Sequence, residues 1–301
     1  MGNGSRLGIG YAFKACAVPS NQTKAARMNA IHAALAARSR PLVMGIVNVT
    51  PDSFSDGGRY FSTQKALDHA MVLIAQGADI LDIGGESTRP GAEVVPASEE
   101  VERTRALITA IRTRTATPIS IDTRKPDVAS AAMDAGANCW NDVSALGFAP
   151  NSIATAAALN VPIILMHALG NPKIMQDSPT YRDVTGDVLN FLVSRIGQAV
   201  MAGVALDNLL VDPGIGFGKT LKHNLTLMRD LERIAALGRP LVFGASRKSF
   251  IGKIDGSDAQ GRLGGSLAAA LWAADHGAAI VRVHDVNETV QAFKVRAALL
   301  D

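Results

Sequence analysis

Eight short runs of aliphatic and β-branched residues recur along the chain, and each run ends on a polar residue or a glycine that opens a loop. The runs are Val43–Asn48, Ile80–Gly84, Ile119–Asp122, Cys139–Asp142, Pro162–His167, Leu209–Asp212, Leu241–Gly244 and Ile280–His284. A stretch with helical character follows each run, and strands that alternate with helices predict parallel βαβ units. We therefore expect an α/β fold, a single (β/α)8 TIM barrel with parallel strands, whose strand C-termini form one active-site face.

The helical stretches lie between these strands. They are predicted at Thr63–Gln76, Ser98–Arg114, Pro126–Ala135, Asn151–Leu159, Arg182–Ala202, Lys222–Ala236, Gly261–His276 and Asn287–Leu300. Three strand-to-helix loops are longer than chain closure requires, namely Val49–Ser62, Glu86–Ala97 and Ala168–Tyr181. Loops of this length in a compact domain are usually lids or binding loops, with disorder as the alternative, so functional residues are expected at the strand ends and on these three loops.

Composition is consistent with one domain. The chain has 301 residues, of which 48% are hydrophobic, and a barrel of this kind takes about 250 residues. We place an N-terminal extension at residues 1–40 and the barrel at residues 41–301. Although the formal net charge is +3, six of the basic residues precede Asp52 in a stretch without acids, which leaves 24 basic against 27 acidic residues elsewhere. This balance argues against nucleic acid as a partner.

The N-terminal stretch contains no apolar signal-peptide core, and no apolar run approaches the length of a membrane span. Its lack of acids and its arginines leave an organelle transit peptide open as an alternative to a flexible tail or a short helix at Asn29–Arg38. The two cysteines, Cys16 and Cys139, are far apart and have no metal-ligand spacing. A reducing compartment, and therefore the cytoplasm, is the expected location.

The predicted strand ends carry groups suited to chemistry. Arg282 and His284 alternate on the last strand, so both are expected on the same side of the sheet. An arginine fork suits phosphate oxygens, and a histidine adds a second donor. Four other strand ends offer two carboxylates, one amide and one ammonium: Asp122, Asn141, Asp212 and Lys248. Structural ion pairs, such as Lys248 with either aspartate, remain an alternative to a functional role, because a buried carboxylate must be paired or used.

Eight segments, in order and each at a predicted strand end, resemble the signatures of dihydropteroate synthase. They are Asn48-Val-Thr-Pro-Asp-Ser-Phe-Ser-Asp-Gly-Gly58, Asp82-Ile-Gly-Gly-Glu-Ser-Thr-Arg-Pro-Gly91, Ser120-Ile-Asp-Thr123, Asn141-Asp-Val-Ser144, Met166-His167, Asp212-Pro-Gly-Ile-Gly-Phe-Gly218, Ser246-Arg-Lys-Ser249 and Arg282-Val-His284. The resemblance implies a (β/α)8 barrel that joins 6-hydroxymethyl-7,8-dihydropterin pyrophosphate to p-aminobenzoate and releases pyrophosphate, in folate biosynthesis. It also implies a homodimer, a dependence on Mg²⁺ and a target for sulfonamides.

The resemblance also implies roles for individual residues. Asn48, Arg282 and His284 are expected at the pyrophosphate, and Asn48 and Asp56 at the Mg²⁺, with Asp52 an equally placed carboxylate. The pterin is expected to contact seven residues: Asp122, Asn141, Asp212, Lys248, Met166, Phe217 and Gly244. Asp122, Lys248 and Asn48 are the expected catalytic residues, because Asp122 would stabilise a cationic methylene while Lys248 donates to the ring.

The aminobenzoate pocket is expected at five residues: Thr88, Arg89, Pro90, Ser249 and Phe54. One departure from the family pattern is Leu169, which stands where a polar or basic residue is frequent. Two other functions share parts of this pattern. A corrinoid-type methyltransferase barrel would use the pterin readers but not the pyrophosphate residues, and a non-catalytic pterin-binding paralogue would be expected to lose Asp122, Lys248 or Asn48.

Overall fold

Eight parallel strands form a closed barrel in chain order. The computed structural model describes residues 30–49, 59–86, 95–169 and 179–300, with the backbone alone at 59–62. The strands are β1 (Leu42–Asn48), β2 (Ile80–Gly84), β3 (Ile119–Asp122), β4 (Cys139–Asp142), β5 (Ile163–Met166), β6 (Leu209–Asp212), β7 (Leu241–Phe243) and β8 (Ala278–Val283). The expected (β/α)8 barrel is therefore confirmed, because β8 pairs with β1 and no strand is left at an open edge.

One helix precedes β1, and the others follow the strands around the barrel. They are α1 (Ala30–Ala37), α2 (Arg59–Ala75), α3 (Ala97–Arg112), α4 (Pro126–Ala135), α5 (Ser152–Leu159), α6 (Val184–Met201), α7 (Leu221–Arg229), α8 (Leu231–Ala235), α9 (Ser249–Asp255), α10 (Leu263–Asp275) and α11 (Val286–Leu300). Among the described residues, no helix is long and apolar enough to cross a membrane.

Two helical segments differ from the sequence prediction. The single helix expected at Lys222–Ala236 is two helices, α7 and α8, which meet at Asp230. The Asp230 side chain accepts a hydrogen bond from the Thr185 hydroxyl at 2.7 Å, and this contact fixes the break against α6. The segment after β7 contains a helix that was not among the predicted ones, α9, which begins at Ser249.

The N-terminal end of the barrel is closed by α1, the helix expected at Asn29–Arg38. Ile31 and Leu35 of α1 are buried against the inward-facing side chains of the strands, among them Met44 and Leu210. Burial of a large aliphatic side chain is worth about 1.5–3 kcal/mol, so α1 contributes to the stability of the barrel. Residues 1–29 lie outside the described residues, and the proposed boundary at residue 40 stays a prediction.

Candidate active site

A row of polar residues crosses the C-terminal mouth of the barrel because of the register of its strands. Asn48 on β1 lies opposite Gly84 on β2, Gly84 lies opposite Asp122 on β3, and Asp122 lies opposite Asn141 on β4. Gly84 leaves room between the two polar side chains: a methyl group there would be 3.6 Å from Asn48 Oδ1 and 3.7 Å from the Asp122 Cβ. The register thus places three of the predicted site residues side by side.

Arg282 is the centre of an ionic cluster in this mouth. Its Nε donates to Asp82 Oδ2 at 2.5 Å, and its Nη2 donates to Asp122 Oδ2 at 2.7 Å. The amide nitrogen of Asn141 donates to the same Asp82 oxygen at 3.2 Å. Arg282 is thus paired with two carboxylates.

The charges of this cluster depend strongly on burial. Burial raises the pKa of Asp122 to about 7, since desolvation outweighs the nearby Arg282 guanidinium and the Asp82 carboxylate adds to the rise. Although burial disfavours a guanidinium, Asp82 and Asp122 together raise the pKa of Arg282. Arg282 is therefore charged at all accessible pH values, whereas Asp122 changes its charge near neutrality.

Lys248 and Asp212 face the same mouth without forming an ion pair. Burial lowers the pKa of Lys248 to about 8, while Asp212 opposes that shift. Burial raises the pKa of Asp212, with Lys248 as the main opposing charge. These residues and Asp122 are all described, yet no Lys248 ion pair with either aspartate lies within 4.0 Å. The structural ion pairs considered as alternatives are therefore not formed.

The loop after β6 shapes the neighbourhood of Lys248. The Lys248 ammonium donates to the Ile215 carbonyl and lies 4.5 Å from the centre of the Phe217 ring, a cation–π distance. Gly214 has a φ of 66°, and a Cβ there would be 1.9 Å from the His167 carbonyl oxygen. Only glycine fits this left-handed position, so the loop can reach Lys248 because residue 214 has no side chain.

The predicted apolar and glycine positions are in the same region. Met166 ends β5 and is buried, and its Cγ lies 3.3 Å from the position of a Cβ on Gly214. A methyl group on Gly244 would lie 3.8 Å from Arg282 and 3.9 Å from Asp212 Oδ2, which are ordinary contacts. Gly244 therefore leaves space between the arginine and the carboxylate.

A buried lysine that the sequence analysis did not select anchors the β6 loop. Lys219 Nζ donates to the carbonyls of Gly214 and Phe217 at 2.9 and 3.0 Å, and it lies 2.9 Å from His167 Nδ1. Burial and this ammonium lower the pKa of His167 to about 3. An ammonium has only donors, so His167 is neutral and accepts through Nδ1. This contact gives His167 a structural role.

His284 is oriented by a serine hydroxyl. Ser246 Oγ accepts from the His284 backbone N–H at 3.1 Å and lies 3.0 Å from His284 Nδ1. When the hydroxyl donates its proton to Nδ1, the proton of the neutral ring lies on Nε2. The Nε2–H group is then a donor suited to an anion.

Several predicted residues are not brought to this cluster or lie outside the described residues. Ser249 is described and exposed at the start of α9, and no hydrogen bond or ion pair joins it to the ionic cluster. The positions outside the described residues are Asp52, Phe54, Asp56, Thr88, Arg89 and Pro90. Their expected roles at the metal and the aminobenzoate stay predictions.

Sequence reasoning missed Asp82 as a site residue. It is the only ionisable residue of β2 and is fully buried, with Oδ1 lacking a hydrogen-bond partner among the described residues. A carboxylate inside an otherwise apolar strand is costly unless it is paired. That cost was the available signal, because Asp82 and Gly84 alternate and must share the inner face.

The arrangement suits the binding of an anion next to a polar ring. The carboxylates of Asp82 and Asp122 both lie along the Nε–Nη2 edge of Arg282, and Nη1 has no hydrogen-bond partner in the described part of the chain. Asp122 Oδ1 is likewise buried without a partner there. An unpartnered donor edge and an unpartnered acceptor thus lie together. The described side chains include no group of three or more His, Cys, Asp or Glu that could hold a metal.

Comparison with known proteins shows the family to which the chain belongs. Residues 44–284 match the family of pterin binding enzymes. Dihydropteroate synthase of Escherichia coli (strain K12) is 47% identical over 262 residues, which make up 87% of this chain and 93% of that protein.

Solved structures give the same result. Dihydropteroate synthase from Xanthomonas albilineans with 4-aminobenzoic acid has a TM-score of 0.82 and 49% identity, and the match covers 87% of this chain and 94% of that one. The Xanthomonas albilineans enzyme in complex with 7,8-dihydropteroate has a TM-score of 0.79 and 45% identity, over 89% and 98% of the two chains. The chain thus belongs to the dihydropteroate synthase family of pterin-binding enzymes.

Proposed function

We propose that the barrel mouth joins 6-hydroxymethyl-7,8-dihydropterin pyrophosphate to p-aminobenzoate, giving 7,8-dihydropteroate and pyrophosphate, with the roles divided among its residues as follows. One observation supports this division. Among the described residues, Arg282 Nη1 and the neighbouring Asp122 Oδ1 both lack a hydrogen-bond partner, so an open donor and an open acceptor lie together. A methyltransferase barrel has no use for such an anion site. The reaction requires a positively charged group that binds the pyrophosphate leaving group and, beside it, a negatively charged group that stabilises the positive charge on the methylene carbon.

The leaving group is bound at Arg282 and His284. Arg282 offers its Nη1 N–H groups, because its Nε–Nη2 edge is occupied by Asp82 and Asp122. His284 is the second proposed donor, and its ring is oriented by the contact between Ser246 Oγ and Nδ1. Charge-assisted hydrogen bonds to phosphate oxygens are the strong ones, so these donors stabilise the pyrophosphate as it departs.

Mg²⁺ is proposed to bind at Asn48 and Asp56 together with the pyrophosphate. The side-chain oxygen of Asn48 is a hard ligand at the mouth, next to Asp122 across Gly84, and Mg²⁺ commonly takes one or two protein groups plus substrate phosphates. The ion would add positive charge at the leaving group. Asn48 thus contributes an oxygen at the rim while Arg282 and His284 contribute donors.

The pterin is proposed to lie between Asp212, Asn141 and Lys248. One edge of the pterin carries an adjacent ring N–H and amino group, which match a carboxylate acceptor. Asp212 Oδ1 already accepts from the Gly214 N–H at 2.7 Å, so Oδ2 is the oxygen that faces a ligand. Lys248 donates to the ring, with Phe217 and Met166 as apolar walls.

In the reaction, the aminobenzoate nitrogen forms a bond to the pterin methylene carbon while the C–O bond to pyrophosphate breaks. Pyrophosphate leaves with the electron pair, and the amine releases one proton to solvent. No general base is required, because an aryl amine is neutral near pH 7. Asp122 stabilises the positive charge that develops on the methylene and ring, which is the electrostatic contribution expected of a preorganised site. The aminobenzoate carboxylate is proposed to bind near Ser249, with Phe54, Thr88, Arg89 and Pro90.

The test is pyrophosphate release by the purified full chain with both substrates and Mg²⁺. We expect release only when pterin pyrophosphate and p-aminobenzoate are both present, with loss on chelation of the metal and recovery on adding Mg²⁺. Release that is independent of aminobenzoate would indicate a hydrolase, and no release from a folded protein would contradict the proposed function.

Asp212→Asn is expected to weaken pterin binding by roughly 5- to 150-fold, which corresponds to about 1–3 kcal/mol. If the new amide keeps its oxygen on the Gly214 N–H, its NH₂ group faces the donor edge of the pterin. Titration of a non-reactive pterin into folded wild-type and variant protein measures the effect. Pyrophosphate affinity is the control, and a pterin affinity within twofold of wild type would show that Asp212 is structural.

We also propose a cytoplasmic homodimer in which the N-terminal extension, residues 1–40, takes no part in catalysis. Exposed apolar side chains on α9, α10 and α11 support an interface with a second copy, among them Ile254, Trp272, Val295 and Leu299. Sedimentation velocity at micromolar concentration is expected to show a dimer. A monomer throughout that range would contradict the assembly but not the activity.

A further inference from the structure

We propose that Asp82 is a positioning residue that sets the polarity of the Asn141 amide and thereby decides which edge of a pterin this pocket accepts. The inference deepens the proposed pterin role of Asn141 and rests on it. Asp82 is fully buried, and the strand register places it opposite Ser120, two positions below the level of Asp122 in the barrel. Its effect must therefore pass through the side chains that it holds.

The direction of the Asn141 amide follows from the chemistry of its neighbour. Asp82 Oδ2 accepts from Arg282 Nε at 2.5 Å and lies 3.2 Å from Asn141 Nδ2. A carboxylate oxygen that is bound to a guanidinium can only accept. If the amide were reversed, two acceptor oxygens would face each other in a buried site, and the Asp82 contact would be repulsive.

The consequence for the ligand is specific. With its NH₂ group turned to Asp82, Asn141 has its side-chain oxygen left for a ligand. That oxygen can only accept, so the ligand must offer an N–H group at this point. The mouth then carries acceptors at both Asn141 and Asp212, and its donors are Lys248 and Arg282. A ring with an edge of N–H donors, opposite an edge of acceptors, is complementary to this pattern.

Asp82 also couples the two halves of the site. The one oxygen Oδ2 is shared by Arg282, proposed to bind the leaving group, and by Asn141, proposed to bind the ring. If the side chain of Arg282 or of Asn141 moves, Asp82 Oδ2 moves with it, and the hydrogen bond to the other side chain changes. Such shared acceptors produce interaction energies between substitutions rather than additive ones.

Asp142 is a matched comparison for Asp82. It is a fully buried carboxylate on β4, the strand that carries Asn141. Its oxygens accept from the Ser144 N–H at 2.7 Å, the Ser144 hydroxyl at 2.6 Å and the Leu146 N–H at 2.9 Å. These bonds fold the loop after β4, and none involves Arg282 or Asn141. A change at Asp142 therefore alters buried charge without altering the Asn141 amide.

The test exchanges the side chains of Asp82 and Asn141. Asn141→Asp alone brings two carboxylates together and is expected to weaken 6-hydroxymethylpterin binding at least tenfold. In the double variant D82N/N141D, an amide NH₂ group at the Oδ2 position can donate to the new carboxylate, which restores this contact with reversed polarity, while Arg282 loses its bond to position 82 and keeps its bond to Asp122. The carboxylate at position 141 keeps an acceptor for the ligand. We expect the double variant to bind 6-hydroxymethylpterin at least threefold more tightly than N141D, but less tightly than the wild type because Arg282 has lost one acceptor.

The control is the double variant D142N/N141D, which removes a buried negative charge at a different position. We expect it to bind 6-hydroxymethylpterin no more tightly than N141D does. Unfolding temperature gives a second readout that needs no ligand: N141D is expected to lower it and D82N/N141D to raise it again. A double variant that neither binds more tightly nor melts higher than N141D would overturn the proposal. If the wild type does not bind the pterin, while the unfolding temperatures of N141D and D82N/N141D change as expected, the proposed function is refuted instead.

Discussion

Arg282→Met is expected to reduce kcat/KM by about 10²- to 10⁴-fold, the largest effect of any single change in this barrel. The variant loses two charge-assisted hydrogen bonds to the pyrophosphate, worth about 3–6 kcal/mol together, and this range corresponds to that loss of rate. Steady-state kinetics with pterin pyrophosphate varied at saturating aminobenzoate measures it.

The same substitution is expected to destabilise the fold. Without the guanidinium, the carboxylates of Asp82 and Asp122 are left buried and uncompensated, and breaking a buried pair in this way costs about 3–5 kcal/mol. Arg296→Met is the matched control, because Arg296 pairs with Asp275 on the surface, where an ion pair is worth about 0–1 kcal/mol. Retention of activity within tenfold by Arg282→Met would show that this arginine is structural and that the pyrophosphate binds elsewhere.

Asp122→Asn is expected to lower kcat/KM by about 10²- to 10³-fold at pH 8, the effect of removing one preorganised electrostatic group, about 2.7–4 kcal/mol. It should also remove a pH dependence. The pKa of Asp122 is raised to about 7, and the charged groups around it are Arg282, Asp82, Glu100 and Asp142, with Lys248 across the mouth. Because the carboxylate form is the active one, wild-type kcat/KM should rise with pH through about 7.

A profile of kcat/KM from pH 5.5 to 9 for wild type, Asp122→Asn and Asp142→Asn checks this expectation. The substrate phosphates also titrate in this range, but that contribution is common to all three proteins. The rise near pH 7 should disappear in Asp122→Asn alone, and Asp142→Asn should keep it with at most a small shift. A rise of unchanged height in Asp122→Asn would show that another group carries the charge.

Much of the barrel could be predicted because its signals are local. Strands β2, β3, β4 and β6 have the bounds expected from their apolar runs, since a buried parallel strand must be apolar and must stop where its side chains become polar. The break at Asp230 could not be predicted in this way. It depends on a hydrogen bond to Thr185, which is 45 residues away in the chain.

For the site as well, one part could be predicted from the sequence and another could not. That Asp122, Asn141, Asp212, Lys248 and Arg282 would meet follows from their positions at the C-termini of strands that share one barrel face. Which of them pair could not be predicted. The ion pair expected as an alternative involved Lys248, whereas the structure pairs Arg282 with Asp82 and Asp122 and turns Lys248 to a backbone carbonyl.

The sequence by itself therefore determined the alternation of strands and helices, the closed parallel barrel and the set of chemical groups at its mouth, because each depends on residues within one strand and its loop. Only the tertiary structure decided that Asp82 joins Arg282, 200 residues away, and that a shared carboxylate oxygen orients Asn141. These contacts depend on barrel closure between β8 and β1 and on the stagger of the strands. No local pattern of apolar and polar residues specifies the contact of Asp82 with Arg282 or its contact with Asn141.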